Sequence, residues 1–213
     1  QFSELLFPQV LGYDVAGVVC ATGGPVAGIA VGDRVVGMLD HRLKGGYAQY
    51  AVVTPQSCVK LPSTMDMALA AAIPTPGLTG IQLIEEHIRP QPGQRVLITG
   101  ACGSVGRFAV HAALALGAQV VAGVREKQRE LVRELGVAEV IVIGADYAGL
   151  PFDHIADTVG GPQVAALCRQ LRPGGRIRTV ATTPIDATGL PAQPQFIALH
   201  PDARQLAALL AAV

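Results

Sequence analysis

Residues 95–106 of this 213-residue chain, RVLITGACGSVG, decide its fold. The apolar run 96–98 predicts a buried strand, and the glycine-rich turn after it leads directly into a helical pattern over residues 105–116. The N-terminus of a helix presents unpaired backbone N–H groups and the positive end of the helix dipole, and small residues let the backbone approach a phosphate closely. The stretch therefore predicts a phosphate-binding turn between a strand and a helix.

Ala101, Gly103 and Gly106 follow the A-x-G-x-x-G spacing, a dinucleotide-binding spacing in which Ala replaces the first glycine. Such a string is common by itself, and a purely structural turn in another α/β protein is the alternative. The context favours binding, because a strand precedes the turn, a helix follows, and a second strand at 119–124 comes about one βαβ length later. We therefore expect a dinucleotide site at this turn.

Strand-like and helical segments alternate from residue 94 onward, which predicts an α/β fold: a parallel sheet with helices on both faces. The predicted strands are 96–99, 120–124, 139–143, 154–157 and 176–180, and the predicted helices are 104–116, 127–135 and 161–171. In such a sheet ligands bind at the carboxyl ends of the strands, where the glycine turn lies.

The first sixty residues are β-rich instead, and glycines separate short strands in the manner of a small barrel. The predicted strands are 11–21, 31–39, 47–53 and 58–61. Ser63 and Asp66 predict a capping box for a helix over 64–73, and a second helix is expected over 78–88. We expect a β-rich domain over residues 1–76 and a dinucleotide-binding domain over residues 77–213.

Composition narrows the class of protein. Half of the residues are apolar and 15% are charged, which suits a well-buried α/β protein, and the net charge of zero gives no reason to expect nucleic acid or an anionic membrane as a partner. The longest apolar stretch, 108–124, is interrupted by polar residues and glycines, so we interpret it as a helix and a strand rather than a membrane span. The chain lacks an initial Met and stops inside a helical pattern, from which we expect a fragment.

The four cysteines are scattered and form neither a disulfide framework nor a zinc cluster, so a cytoplasmic, reducing location is the simplest expectation. The histidines show no metal-ligand spacing with one another or with the cysteines, and no metal site is expected. A nucleophile elbow is also missing, because the chain contains no G-x-S-x-G motif.

The end of the second strand indicates which dinucleotide binds. An acidic side chain there holds the ribose hydroxyl of NAD, whereas a nearby Arg accommodates the 2′-phosphate of NADP. The strand ends at Val124 and is followed by Arg125 and Lys127, which favours NADPH. Glu126, shifted by one residue, is the alternative ribose partner.

Six motifs, taken in order, resemble segments of one family. They are G-x-E/D-x-x-G-x-V at residues 11–19, VGDRV at 31–35, GGYAQY at 45–50 (similar to G-G-[YF]-A-E-Y), the segment beneath the nicotinamide at 71–79, the glycine turn at 100–106, and D-x-x-x-D-x-V-G-G at 153–161. The chain therefore resembles the medium-chain dehydrogenase/reductase superfamily in its zinc-free quinone oxidoreductase (zeta-crystallin-like) branch. Tyr13 stands where the zinc alcohol dehydrogenases carry a metal-binding His, and residues 38–44 replace their four-cysteine lobe.

The resemblance implies a partial GroES-like catalytic domain followed by a Rossmann domain, with further residues before Gln1 and an absent C-terminal return to the catalytic domain. It also implies roles for individual residues. Thr79 is expected to contact the nicotinamide side, and Val180 and Ala181 are expected to line the nicotinamide pocket. The pyrophosphate is assigned to Gly103, Ser104, Val105 and Gly106, and the 2′-phosphate to Arg125 and Lys127.

The expected reaction is hydride transfer from NADPH to a small-molecule acceptor, either a quinone or an α,β-unsaturated carbonyl. Tyr13 is the candidate catalytic donor to the enolate oxygen that forms, and a buried structural tyrosine is the other interpretation. Two further functions stay open: an enoyl-thioester reductase, and a non-catalytic NADPH-binding protein. A homodimer is implied by the resemblance.

Overall fold

The computed structural model describes residues 8–39 and 45–212. Most of the segment 38–44, which replaces the four-cysteine lobe in the sequence comparison, therefore lies outside the described residues. The chain divides into two compact units. One unit contains the described residues of Gln1–Leu78 and His200–Val213, and the other contains Thr79–Leu199.

The two units are built from nine strands and six α-helices in the described part of the chain. The strands are β1 (Asp14–Val18), β2 (Arg34–Met38), β3 (Cys58–Lys60), β4 (Arg95–Thr99), β5 (Gln119–Val124), β6 (Glu139–Val142), β7 (Phe152–Asp157), β8 (Leu171–Thr179) and β9 (Pro194–Phe196). The helices are α1 (Met67–Ala71), α2 (Pro74–Gln82), α3 (Ser104–Ala115), α4 (Arg129–Arg133), α5 (Gly161–Cys168) and α6 (Ala203–Ala212).

The second unit contains a six-stranded sheet in the order β6-β5-β4-β7-β8-β9, and every pair in it is parallel. β4 and β5 are buried on both faces, which explains why residues 96–98 and 120–124 are continuously apolar rather than alternating. The core packs Phe152, Ile155 and Ile177 of β7 and β8 against Val164 and Leu167 of α5. This is the strand order of a doubly wound Rossmann sheet, and the predicted fold class is confirmed.

The helix before this sheet begins earlier than predicted and ends at the predicted residue, Ile88. It begins at Pro74 rather than at residue 78, because proline is tolerated in the first turn of a helix, where the missing N–H has no partner anyway. From Leu83 to Ile88 it continues as a π-helix, which ends when the Arg89 N–H donates to the Ile84 carbonyl (2.7 Å). Arg89 then adopts a left-handed conformation, because the following Pro90 disfavours further helix.

The first unit contains the three-stranded antiparallel sheet β1-β2-β3. The predicted strand over residues 47–53 is wrong, since these residues pair with no strand among the described residues. The predicted capping box is also wrong: Asp66 itself caps α1, and its Oδ1 accepts the Leu69 N–H (2.9 Å).

The last helix differs from the sequence-based domain assignment. The sequence placed every residue after 76 with the dinucleotide-binding domain, whereas α6 contacts β3 of the first unit. The Ala203 N–H donates to the Gln56 carbonyl (3.0 Å), and Leu206, Leu209 and Leu210 of the helix are buried. An apolar stripe of this kind gains most of its stability by packing, so the partner of α6 cannot be read from its own sequence.

Candidate functional site

The glycine turn begins where β4 ends, at Thr99. Gly100 adopts a left-handed conformation (φ +66°), and its carbonyl accepts the Gly103 N–H at 2.7 Å. Gly103 is the N-cap of α3, and Ser104 is the first helical residue. The turn thereby places the N-terminus of α3 at the carboxyl edge of the parallel sheet, where its unpaired N–H groups attract an anion.

Gly106 allows this turn to close. A Cβ atom at Gly106 would collide with the Gly100 carbonyl and the Ala101 backbone, so the first turn of α3 and the end of β4 can pack this tightly only around a glycine. Gly103 and Ser104 are exposed and Val105 is half-buried. The backbone of the turn is therefore accessible to a ligand while its far side is packed.

Arg125 directly follows the last residue of β5. Its backbone is extended, its side chain is exposed, and its Nε donates to Gln128 Oε1 (3.3 Å). Lys127 is also exposed, in the 3₁₀ turn Glu126–Gln128 that follows. Glu126, the alternative ribose partner, forms a long surface ion pair with Arg129 (3.8 Å).

Asp157, at the end of β7, organises the same edge of the sheet. This carboxylate is fully buried and accepts hydrogen bonds from Thr99 Oγ1 and Thr179 Oγ1, each at 2.6 Å. Its Oδ1 also accepts the N–H groups of Val159 (3.0 Å) and Gly160 (2.9 Å). One buried side chain thus ties the ends of β4, β7 and β8 together.

This role of Asp157 was missed at the level of sequence, where the residue appeared only as part of a motif. The signal that was available was an acidic residue at the end of an otherwise apolar strand. Such a charge is stable in a core only when several donors surround it.

The other residues assigned to the nicotinamide lie on the same unit. Val180 and Ala181 immediately follow β8, and the Ala181 N–H donates to Thr179 Oγ1 (3.0 Å). Thr79 is buried on α2, one residue before Gly80, where a Cβ atom would meet the Val105 carbonyl and Phe108 of α3. The structure therefore brings α2 against the first turn of α3, and the end of β8 to the edge that Asp157 organises.

Tyr13 lies in the first unit, in a cavity of about 610 Å³. The tyrosine is 42% exposed, so the interpretation of Tyr13 as a buried structural residue is wrong. Asp14, beside it in the same cavity, was not singled out from the sequence. Its Oδ1 accepts both the N–H (2.9 Å) and the hydroxyl (2.6 Å) of Thr75, and burial raises the pKa of the carboxyl although these hydrogen bonds oppose the shift.

In the part of the chain that the structure describes, no group of three or more His, Cys, Asp or Glu side chains is arranged to hold a metal ion. Among the same residues, no helix has the length and apolar character needed to cross a membrane.

Two family models match the chain. An alcohol dehydrogenase GroES-like domain matches residues 2–63, and a zinc-binding dehydrogenase domain matches residues 104–201. These matches and the Rossmann sheet define the class of the chain: an α/β protein with a GroES-like part and a part similar to the zinc-binding dehydrogenase domain.

Two curated proteins with similar sequences indicate the branch of this class. A chloroplast envelope quinone oxidoreductase homolog of Arabidopsis thaliana is 37% identical over 140 residues, which cover 63% of this chain and 43% of that protein. A trans-enoyl reductase of Aspergillus japonicus is 32% identical over 190 residues, which cover 80% of this chain and 56% of that protein. The chain thus spans about half the length of these curated relatives.

A solved structure of the same superfamily has a similar fold. An alcohol dehydrogenase superfamily protein from Novosphingobium aromaticivorans superimposes with a TM-score of 0.77 and 31% identity, covering 97% of this chain and 64% of that one. The chain belongs to the medium-chain dehydrogenase/reductase superfamily, in its quinone oxidoreductase branch, and the resemblance drawn from the six motifs is confirmed.

Proposed function

We propose that this protein is a zinc-independent oxidoreductase that transfers hydride from NADPH to a quinone or an α,β-unsaturated carbonyl. The observation that carries the proposal is the accessible N-terminus of α3 at the carboxyl edge of the sheet, with Arg125 and Lys127 exposed after the neighbouring strand β5. Bound NADPH supplies the hydride, and the chain supplies binding, orientation and exclusion of water.

The backbone of Gly103, Ser104, Val105 and Gly106 is assigned to the pyrophosphate. Helix N–H groups bind an anion without a charged side chain, and the glycine at position 106 keeps their approach open. Arg125 is assigned to the 2′-phosphate with Lys127 beside it, because a guanidinium forms paired, charge-assisted hydrogen bonds with phosphate oxygens. The hydrogen bond of Arg125 to Gln128 limits the conformations of the arginine before a ligand arrives.

The nicotinamide is assigned to the segment after β8, with Val180 and Ala181 as lining residues and Thr79 as a further contact. The Asp157 network supports this assignment, since it fixes the end of β8 relative to the glycine turn through Thr99 and Thr179. A ring held against such an edge keeps one orientation, which favours transfer of hydride in a single geometry.

Zinc independence rests on the donor set. Tyr13 stands where zinc-dependent relatives carry a His, and a phenol is a poor zinc ligand. Tyr13 is partly exposed and lines the first-unit cavity, and we propose that its hydroxyl instead donates a hydrogen bond to the oxygen that gains charge when hydride reaches an enone.

The enoyl-thioester reductase is the second candidate, and the similarity to the Aspergillus japonicus trans-enoyl reductase favours it. The scaffold and cofactor are the same in both candidates, and only the acceptor differs.

We also propose that the protein forms a homodimer through the open edge of β9, and sedimentation velocity tests this oligomeric state. The cytoplasmic location stays a prediction, since one relative is a chloroplast envelope protein.

Turnover assays separate these functions. We expect oxidation of NADPH, followed by its absorbance, with a benzoquinone or an enone and little with an enoyl thioester; the reverse preference supports the second candidate. Addition of a zinc chelator is expected to leave the rate unchanged. NADPH binding without turnover on any acceptor would instead favour the non-catalytic binding protein.

Tyr13→Phe tests the proposed donor. Because only the hydroxyl is removed, we expect slower turnover on an enone and unchanged affinity for NADPH. Tyr50→Phe is the matched control, since Tyr50 is also exposed in the first unit but does not line the cavity. Equal turnover of Tyr13→Phe and wild type would remove Tyr13 from the mechanism.

A further inference from the structure

Three arginines line one groove on the second unit, away from the glycine turn. The groove has a volume of about 530 Å³ and lies between the end of the π-helix, β8 and β9. Arg89 comes from the first of these elements, and Arg176 and Arg178 come from β8. Arg176 lies level with His154 and Val96, near the beginning of β4, whereas the glycine turn follows the end of that strand.

Among the described residues that line the groove, these three arginines outnumber the carboxylates, of which Glu86 is the one present. Burial, and then the charge of Arg176, lower the pKa of Arg178, and burial followed by the charge of Arg176 also lowers the pKa of His154. Like charges held together in this way raise the free energy of the folded protein unless an anion joins them.

Two of the three guanidinium groups are anchored by a backbone carbonyl. Arg176 Nη1 donates to the Ile88 carbonyl (2.6 Å), and Arg178 Nη1 donates to the Ile177 carbonyl (3.2 Å). Arg89 is the one residue other than glycine with a positive φ (+53°) among the described residues. Arg89 ends the π-helix in this left-handed conformation, which a glycine adopts without strain.

We propose that this groove is a second anion site, which binds a multiply charged oxyanion presented by a phosphate or a polycarboxylate. Arg176 and Arg178 each use one Nη1 for a backbone carbonyl, so all three guanidinium groups keep N–H donors for a ligand, and their planar fork matches the oxygens of either group. The groove has the size of a small-molecule site, and it goes beyond the hydride-transfer reaction because none of its residues is assigned to NADPH or the acceptor.

Calorimetric titration of the whole chain with pyrophosphate, and separately with citrate, tests the proposal. We expect both probes to bind, and Arg178→Gln and Arg89→Gly each to weaken binding by about tenfold, the loss expected for one charge-assisted contact. Arg89→Gly removes the charge at a position where glycine adopts the same backbone conformation without strain, so the fold is retained even if Arg178→Gln is destabilised. The relative affinity for the two probes distinguishes a phosphate ligand from a polycarboxylate.

Two arginine variants elsewhere provide the comparison. Arg133→Gln removes an exposed arginine that is paired with Glu130, and we expect it to leave binding of both probes within about twofold of wild type. Arg125→Ala distinguishes pyrophosphate binding in the groove from pyrophosphate binding at the proposed cofactor site. Pyrophosphate binding that is lost in Arg125→Ala but retained in Arg178→Gln and Arg89→Gly would overturn the proposal, as would the absence of binding by either probe.

Discussion

Asp157 shows how much of the candidate site depends on one residue. Its buried carboxylate receives four donors from the ends of β4 and β8 and from the turn after β7. Burial of a charge costs free energy, and these hydrogen bonds offset that cost. The network also holds three strand ends at fixed positions beside the glycine turn.

Asp157→Ala is expected to lower the free energy of unfolding by about 3–5 kcal/mol, because it leaves buried hydroxyl and amide donors without an acceptor. Urea denaturation followed by circular dichroism measures this. Asp146→Ala, at an exposed aspartate of the same unit, is the control and is expected to be close to wild type. A loss at Asp157 no larger than at Asp146 would mean that the network does not hold the strand ends.

The glycines and the arginine after β5 could be predicted from the sequence, whereas Asp157 and Asp14 could not. Gly106 and Arg125 belong to a local spacing, in which the strand, turn and helix lie within a few residues of one another. The partners of Asp157 lie 58 and 22 residues away along the chain, at Thr99 and Thr179, and no local pattern reveals them. The exposure of Tyr13 likewise depends on what packs around it.

At the scale of the elements, periodicity predicted the parallel strands well and the edges of the first unit poorly. The five predicted strands of the second unit all form, and the buried strands β4 and β5 carry the continuous apolar runs that predict them. Residues 47–53 have the same β-like composition, but Tyr47, Tyr50 and Val52 are each at least 75% exposed and pair with no described strand. Composition cannot tell a paired strand from an extended segment, since pairing depends on a distant neighbour.

The cap of α1 gives a test at this scale. Asp66→Ala removes the acceptor of the Leu69 N–H, and we expect a loss of about 1 kcal/mol in the free energy of unfolding. Ser63→Ala is the matched comparison, because the sequence-based capping box requires that serine hydroxyl and the structure does not. Chemical denaturation of the two variants measures both free energies of unfolding. An equal loss of stability in Ser63→Ala and Asp66→Ala would support the capping box predicted from the sequence.

At the scale of the whole molecule, stability in acid is expected to depend on Asp153. Burial alone would raise the pKa of this carboxyl, but the Arg95 N–H (2.7 Å) and the Arg172 guanidinium (2.6 Å) outweigh it, so the pKa lies below its ordinary value. A lowered pKa in the folded state stabilises the protein above the unfolded value of about 3.9, and the contribution is lost as the pH falls through the folded value.

Asp153→Asn is therefore expected to be less stable than wild type at about pH 7, and the difference should shrink as the pH falls below about 3.9. Urea denaturation of both proteins across this range measures it. Asp146→Asn serves as the reference, since Asp146 is exposed in the same unit. A difference between Asp153→Asn and wild type that stayed constant with pH would show that the charge of Asp153 contributes nothing to stability.

Recognition of NADPH by the second unit is the central claim, and calorimetric titration of the protein with NADPH and with NADH tests it most directly. We expect NADPH to bind more tightly than NADH, Arg125→Ala to abolish that preference, and Gly106→Ala to weaken both cofactors because its Cβ would collide with the Gly100 carbonyl. Equal or tighter binding of NADH by wild type would instead assign the ribose contact to Glu126. A folded sample that bound neither cofactor would contradict the account, because the glycine turn would then be structural only.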